Sequence, residues 1–397
     1  MKNPAVRTPP LQIMKIVINA ASAKVGGAVT YITNVLRALP GPESGHEFEV
    51  YLPPETARRQ GGLGRNVRVV VTTIGHASWW RRLWWEQVTL RARLRQSAAD
   101  LLFSTGNFGM FLCPVRQLVL VCNALYFSKL YRQELVPRQS LKKQLDFCLR
   151  RWLCCRSVRA ADVVITPTQA TLAELRQFVE VGARQAVVNP YGVEEKDFLP
   201  PPQPSLCVAG NAPVVRLVYV SLYYEHKNLS TLLRAMRLLN QEGKQRFRLV
   251  TTVNPGWQGA ASTATYREDL ALAGESAIAP WVEFVGPWER DAARQLYRDA
   301  DIFVFPSLSE SFGHPMVEAM AAGLPIVAAD IPVNREICGD AAEYFPPLSA
   351  EDLAGKVRRL ASNRGRRRRL GAAGKRRATA APRWDEHVRK VLAAAVP

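Results

Sequence analysis

Long apolar runs are missing from this 397-residue chain. No uninterrupted stretch approaches the roughly 18 residues a spanning helix needs, which excludes a polytopic membrane protein. Cysteine is sparse and unordered: 7 residues, at positions 113, 122, 148, 154, 155, 207 and 338. An odd count without repeated ligand spacing speaks against a disulfide framework or a structural zinc site, and for a reducing compartment. The 5 histidines (His46, His76, His226, His314, His387) show no pairwise metal-ligand spacing. The start, Met1-Lys2-Asn3-Pro4, lacks an apolar signal core, so no secretory signal is expected. Acid is short as well: 34 Asp and Glu against 53 Lys and Arg, a net charge of +19. What the chain does have is 48% hydrophobic residues, enough for large cores. At roughly 150 residues per domain, two or three domains are expected.

The charge is unevenly placed. Residues 1–197 carry 27 basic and 14 acidic side chains; residues 198–355 carry 12 and 18; residues 356–397 carry 14 and 2. A basic first half, an acidic middle and a basic tail suggest domains with different duties. Cationic surfaces attract nucleic acid or anionic lipid, although a merely solvated basic surface is the plainer account.

Apolar β-type runs alternate with helical periodicity. Residues 14–19 read as a strand, Gly26-Gly27 as a turn, and Val29–Leu36 as a helix, the opening of a doubly wound α/β unit. Met14-Lys15-Ile16 reads like a chain start, which makes residues 1–13 an extension. Strands are expected at 48–52, 67–71, 101–104, 118–121 and 163–166. After a proline cluster (Pro200, Pro201, Pro202, Pro204) the pattern restarts, with strands at 215–220, 248–251, 282–285, 302–305 and 325–328. The expected fold is α/β, two Rossmann-like domains facing a cleft, at 1–199 and 205–380.

The chemistry concentrates in residues 301–325. A buried strand ends at Pro306, a polar turn follows, Pro315 suits a first helical position, and Gly323 suits a C-terminal cap. The turn sets a helix N-terminus at the carboxyl end of a strand, where N–H groups favour phosphate. Glu310 and Glu318 flank it, and carboxylates accept hydrogen bonds from vicinal hydroxyls. A phosphate cradle between two hydroxyl-binding acids describes a nucleotide sugar. Read singly, Glu318 would only complement the helix dipole and Glu310 would be solvated.

These residues resemble the family 4 glycosyltransferases, retaining nucleotide-sugar enzymes of the GT-B fold. The resemblance rests on Ser309-Glu310-Ser311-Phe312-Gly313-His314-Pro315 through Glu318 to Pro325, on Gly26-Gly27, Thr166-Pro167-Thr168, Asn189-Pro190-Tyr191-Gly192-Val193, Lys227-Asn228 and Phe284-Val285-Gly286. It runs over nearly the whole chain and is strongest from 215 to 350. The resemblance implies that Glu318 holds the ribose hydroxyls and Glu310 those of the transferred sugar. Ser311, Phe312, Gly313 and His314 would meet the sugar and pyrophosphate. Lys227 would neutralise the pyrophosphate, Gly26 and Gly27 would let backbone approach the donor, and Gly286-Pro287 would flank the base. It further implies a last helix, here Trp384–Val396 within 381–397, crossing back onto the first domain. Glu310, Lys227 and Asn123 are the expected catalytic set, with no metal and no cofactor beyond the nucleotide-sugar substrate.

Two positions depart from the family pattern. Leu222 stands where an Arg is common, and Cys122 where a His is common, leaving Asn123 to bind a hydroxyl. Asp299-Ala300-Asp301 imitates a metal motif but reads as a helix cap, and His226 reads as loop surface. Gly26-Gly27 lacks the dinucleotide fingerprint, so a nicotinamide oxidoreductase is not expected. An epimerase or an inactive scaffold would share the fold. Arg364–Arg369 motivates a nucleic-acid binder, but no matching motif accompanies it, and no nucleic-acid partner is expected. The expected partners are a nucleotide-sugar donor, a glycan or lipid-linked acceptor and an anionic membrane. The expected setting is cytoplasmic, at the inner face of the cell membrane, in surface-polysaccharide or glycolipid assembly. Membrane contact is expected through Trp79, Trp80, Arg81 and Arg82 together with the basic tail.

Overall fold

The computed structural model describes residues 13–194, 198, 208–209, 212–241, 245–253, 265–286 and 290–396. The proline cluster at 200–204 and Pro287 lie outside the described residues. The first sheet holds seven strands: β1 (Lys15–Asn19), β2 (Glu47–Leu52), β3 (Val67–Val71), β4 (Leu101–Ser104), β5 (Arg116–Leu120), β6 (Val163–Thr166) and β7 (Ala186–Val188). Their order is β3-β2-β1-β4-β5-β6-β7 and every pairing is parallel. The second sheet is built from β8 (Val208–Ala209), β9 (Ala212–Tyr219), β10 (Arg246–Thr251), β11 (Val282–Phe284), β12 (Ile302–Phe305), β13 (Ile326–Ala329) and β14 (Ala342–Phe345). Its parallel path is β11-β10-β9-β12-β13-β14, with β8 antiparallel on β9.

Both sheets are doubly wound, and the central strands β4, β12 and β13 are buried at every residue. Helices cover both faces of a parallel sheet, so such strands read as continuous apolar runs. Strand order reverses between β1 and β4, and again between β9 and β12, which opens a crevice at the carboxyl edge of each sheet.

Three strands carried no sequence signal. β7 and β8 have only three and two residues. β14 contains Glu343, 5% exposed, whose charge interrupts the apolar run. Arg359 reaches that carboxylate at 2.8 Å, and Arg366 also bonds it.

The chain ends in three helices, α13 (Ala350–Ser362), α14 (Arg364–Ala380) and α15 (Trp384–Ala395). α15 crosses back to the first sheet: Tyr31 Oη lies 3.1 Å from His387 Nε2, and Asn189 Nδ2 donates to the His387 carbonyl at 3.0 Å. The arginine-rich α14 does not follow it. A Cβ added at Gly371 would stand 2.1 Å from the Gly323 carbonyl oxygen, so α14 lies directly on the second domain. The basic run expected to share a side with the first domain therefore sits on the other one.

Candidate functional site

The expected helix forms as α11 (His314–Ala321), preceded by Gly313 at φ 79° and carrying Pro315 in its first turn. Its N-terminus opens beyond the carboxyl end of β12. The Gly26-Gly27 turn faces it from the first domain. A Cβ on Gly26, at φ +63°, would stand 3.0 Å from Leu222 Cδ1, and one on Gly27 3.8 Å from His314 Cδ2. Only glycine fits this left-handed, closely approached position. Leu222, in place of a cation, thus makes an apolar contact across the cleft.

Lys227 and Glu310 are drawn together. Lys227 Nζ donates to Glu310 Oε1 at 2.5 Å, and the two side chains are 18% and 10% exposed. The lysine's turn is tightly held: Tyr219 Oη donates to the Lys227 carbonyl at 2.8 Å, and Asn228, left-handed at φ 56°, bonds the Pro306 carbonyl at 3.1 Å. Glu318 is oriented separately, accepting from Tyr297 Oη at 2.8 Å.

The turn before α11 is tied to the first domain. Ser311 Oγ donates to the Cys122 carbonyl at 2.6 Å, while the Ser311 carbonyl accepts from Thr168 Oγ1 and Thr171 Oγ1 at 3.0 and 3.2 Å. Glu336, from the second domain, accepts from the backbone N–H groups of Gln169 and Ala170 at 2.8 and 2.7 Å. It thereby caps a first-domain helix, α7 (Gln169–Arg176), with the charge its dipole prefers. Phe312 packs on Tyr191 (4.8 Å between ring centres), and His314 stacks on the same ring at 5.0 Å and 12°. His387 Nδ1 lies 2.8 Å from the Pro190 carbonyl. A carbonyl only accepts, so Nδ1 carries the proton and Nε2 accepts from Tyr31. Burial lowers this imidazole to about 4 and keeps it neutral.

Other expected residues fare differently. Gly286 follows β11 at φ 79°. Asn123 is exposed and its Oδ1 caps a short turn, accepting from Leu125 N at 3.1 Å. Burial pushes the Cys122 thiol up to about 11, so it stays a neutral thiol, 3.4 Å from the Thr105 carbonyl. Asp301 sits at the amino end of β12, accepting from Arg216 N at 2.9 Å, on the edge away from the crevice. Among the described residues, no group of three His, Cys, Asp or Glu side chains is placed to hold a metal.

Two expectations need correction. His226 is no surface loop: its ring packs against Tyr131 and Tyr224, and burial lowers it well below the ordinary histidine value. The Trp79–Arg82 segment is only partly a surface. Trp79 is half-buried under the Arg150 guanidinium, and Arg82 turns toward Glu86 and Phe108; Trp80 and Arg81 are exposed. Trp84 is also exposed and Trp85 is buried.

Sequence reasoning found no role for Tyr297, Glu336, Thr171, or Glu225 with its first-domain partners. Glu225 accepts from Tyr131 Oη at 2.6 Å and from Gln139 Nε2. Thr168 and Tyr191 stood in the sequence only as family marks.

The family model described as Glycosyltransferase Family 4 matches residues 25–197, and that described as Glycosyl transferases group 1 matches 213–377. O-antigen chain mannosyltransferase B of Escherichia coli is 24% identical over 212 residues, 51% of this chain and 52% of the relative. A D-inositol 3-phosphate glycosyltransferase of Catenulispora acidiphila is 36% identical over 181 residues, 44% and 41% of the two. The match thus spans about half the length of these curated relatives. Among solved structures, Anabaena HepE in complex with UDP-glucose superposes with a TM-score of 0.69 at 18% identity, covering 96% of this chain and 99% of that one.

Proposed function

We propose that this chain, which belongs to glycosyltransferase family 4, moves a sugar from a nucleoside-diphosphate sugar to an acceptor hydroxyl with retention at the anomeric carbon. The observation that carries this reading is the Lys227–Glu310 pair at the mouth of α11, a cation and an acid 2.5 Å apart beside a helix N-terminus. Lys227 meets the diphosphate, Glu310 the sugar hydroxyls and Glu318, held by Tyr297, the ribose. Backbone N–H groups of Phe312 to His314 add the helix-end field. The solved relative holding UDP-glucose supports a donor of this class.

The acceptor oxygen bonds to the anomeric carbon on the face the phosphate leaves. The anomeric C–O bond to phosphate breaks, and the acceptor's proton passes to a phosphate oxygen. The protein orients the two substrates and stabilises the departing charge. No metal takes part in this reading. The acceptor is a glycan or lipid-linked glycan, consistent with an O-antigen relative, and the first domain rests on the anionic inner face of the cell membrane. No helix among the described residues is long and apolar enough to cross a membrane.

A screen of UDP-, GDP- and dTDP-sugars for hydrolysis and transfer tests the reaction, with the anomeric configuration of the product read by NMR. Transfer is expected to persist in EDTA. Transfer that requires added Mg²⁺ or Mn²⁺, or an inverted product, would overturn the corresponding part.

A further inference from the structure

One small cavity of the first domain, lined by charged and apolar side chains together, lies outside the proposed donor chemistry. Helix α3 (Trp79–Trp84) runs into a π-helical segment at Trp85–Leu90, a rare form that occurs frequently at functional sites. Glu86 lies in that segment and is 7% exposed. It lines a cavity with Trp79, Arg82, Phe108, and two residues of α6 (Leu141–Ala160), Arg150 and Leu153. Glu86 Oε1 accepts from Asn19 Nδ2 at 3.2 Å, at the carboxyl end of β1. Glu86 Oε2 and Arg82 Nε are buried and make no hydrogen bond. Their side chains approach to 3.8 Å, too far to satisfy either. One acceptor and one cationic donor, on two residues that line the same cavity, are therefore unsatisfied, a costly arrangement that a bound group with a hydroxyl and an anionic oxygen would relieve.

Around the cavity the two helices expose apolar side chains. On α6, Leu141, Leu145 and Trp152 are 76%, 71% and 54% exposed and fall on one face. On α3, Trp80 and Trp84 are 55% and 60% exposed, four residues apart. α6 carries Lys142, Lys143, Arg150, Arg151, Arg156 and Arg159 against a single acid, Asp146, which is itself paired with Arg150 at 2.8 Å. Arg156 lies over the Trp152 ring at 5.8 Å. Apolar ridges edged by arginine and tryptophan suit the boundary between acyl chains and headgroups.

We propose that α3 and α6 form a seat for an anionic phospholipid, its phosphate on Arg82 and Arg150, a headgroup hydroxyl on Glu86 Oε2, and its acyl chains along the Leu141–Leu145–Trp152 ridge. This rests on the membrane-docking reading above and moves its centre from Trp79–Arg82 to α6. The inner face of α6 links the seat to the donor site. Phe147 packs on Tyr131 at 5.8 Å, and Tyr131 Oη bonds Glu225, two residues from Lys227.

Vesicle flotation with the full chain tests this, using phosphatidylglycerol, which has headgroup hydroxyls, phosphatidylserine at equal charge density, and phosphatidylcholine. Wild type is expected to bind phosphatidylglycerol severalfold more tightly than phosphatidylserine and to ignore phosphatidylcholine. Leu145→Glu with Trp152→Glu should weaken binding at least tenfold. Glu86→Ala should abolish the preference between the two anionic lipids, and Arg82→Gln should weaken binding to both. Melting temperatures check that each variant folds. As an independent readout, an environment-sensitive dye on the exposed Cys148, with Cys113 and Cys207 replaced by Ser, should shift to the blue on phosphatidylglycerol vesicles. Wild type that ignores every vesicle overturns the docking reading and the seat with it. Wild-type binding that is unchanged in the α6 and Glu86 variants leaves docking standing and overturns the seat. So does a wild-type dimer in light scattering that Leu145→Glu dissociates, because the ridge is then a contact between copies of the chain.

Discussion

The two domains treat three of their carboxylates in opposite ways. On the second domain, Glu310 is paired with Lys227 and Glu318 with the Tyr297 hydroxyl. On the first, Glu86 has one oxygen bonded and the other buried without a partner, and burial raises its carboxyl to about 7. The first arrangement fixes geometry before any ligand arrives. The second leaves a polar group whose needs the fold does not meet, at a cost in stability.

The contrast can be broken in four ways, from the largest effect to the smallest. Lys227→Ala leaves Glu310 buried without its cation. It also removes the cation proposed to meet the diphosphate, and losing one partner of a desolvated charge pair in a binding site costs about 2–5 kcal/mol, so UDP or GDP binding is expected to fall by about a hundredfold. Titration of the nucleotide beside its nucleoside reads the effect, and equal losses for both would detach Lys227 from phosphate. Next, Glu310→Gln and Glu318→Gln should each lower kcat/KM by about ten- to a hundredfold, through loss of one charge-assisted hydrogen bond. Wild-type rates with a verified donor would remove either assignment.

The third is a pH effect on stability. The folded state holds the Glu86 proton more tightly than the unfolded chain does. Its contribution is therefore complete below the ordinary carboxyl range and is lost as pH rises through about 7. Glu86→Gln, which cannot ionise, should gain on wild type across that interval, by up to about 3 kcal/mol at pH 8.5 and by almost nothing at pH 4. Parallel unfolding curves at both pH values would show that the carboxyl is not held this way. The smallest effect concerns charge without placement. Arg364, Arg368 and Arg369 are exposed on α14, which packs on the second domain. Changing all three to Gln should alter anionic-vesicle binding by about twofold at most, because surface charges beyond a Debye length of about 8 Å are screened. A tenfold loss would return the tail to the docking surface.

Legibility in the sequence followed the same division. The α11 turn could be read because strand, polar turn, glycine, proline and small-residue helix lie within 25 consecutive residues. The alternation of apolar runs exposed both sheets except where a charge entered a strand, as Glu343 does in β14. What could not be read is what distant segments do to one another. Tyr131 and Glu225 are 94 positions apart, and Glu336 caps a helix 166 and more positions away. The Trp79–Arg82 segment misled because aromatic and basic residues announce a surface in composition alone. Only packing shows that Trp79 lies under Arg150 while α6 turns Leu141 and Leu145 outward.

On the proposed reading, the Lys227–Glu310 pair would also make the site a coincidence detector. Glu310 is the lysine's own counter-ion, held at 2.5 Å in a largely buried place. Bare phosphate would have to part that pair and leave the acid stranded beside a second negative charge, so it would be turned away. A ligand that presents phosphate to the lysine and hydroxyls to the acid, at the right separation, satisfies both released groups at once. The acid that sits on the cation would thus filter against the abundant free phosphate of a cell, favouring a ligand that answers both halves of the question.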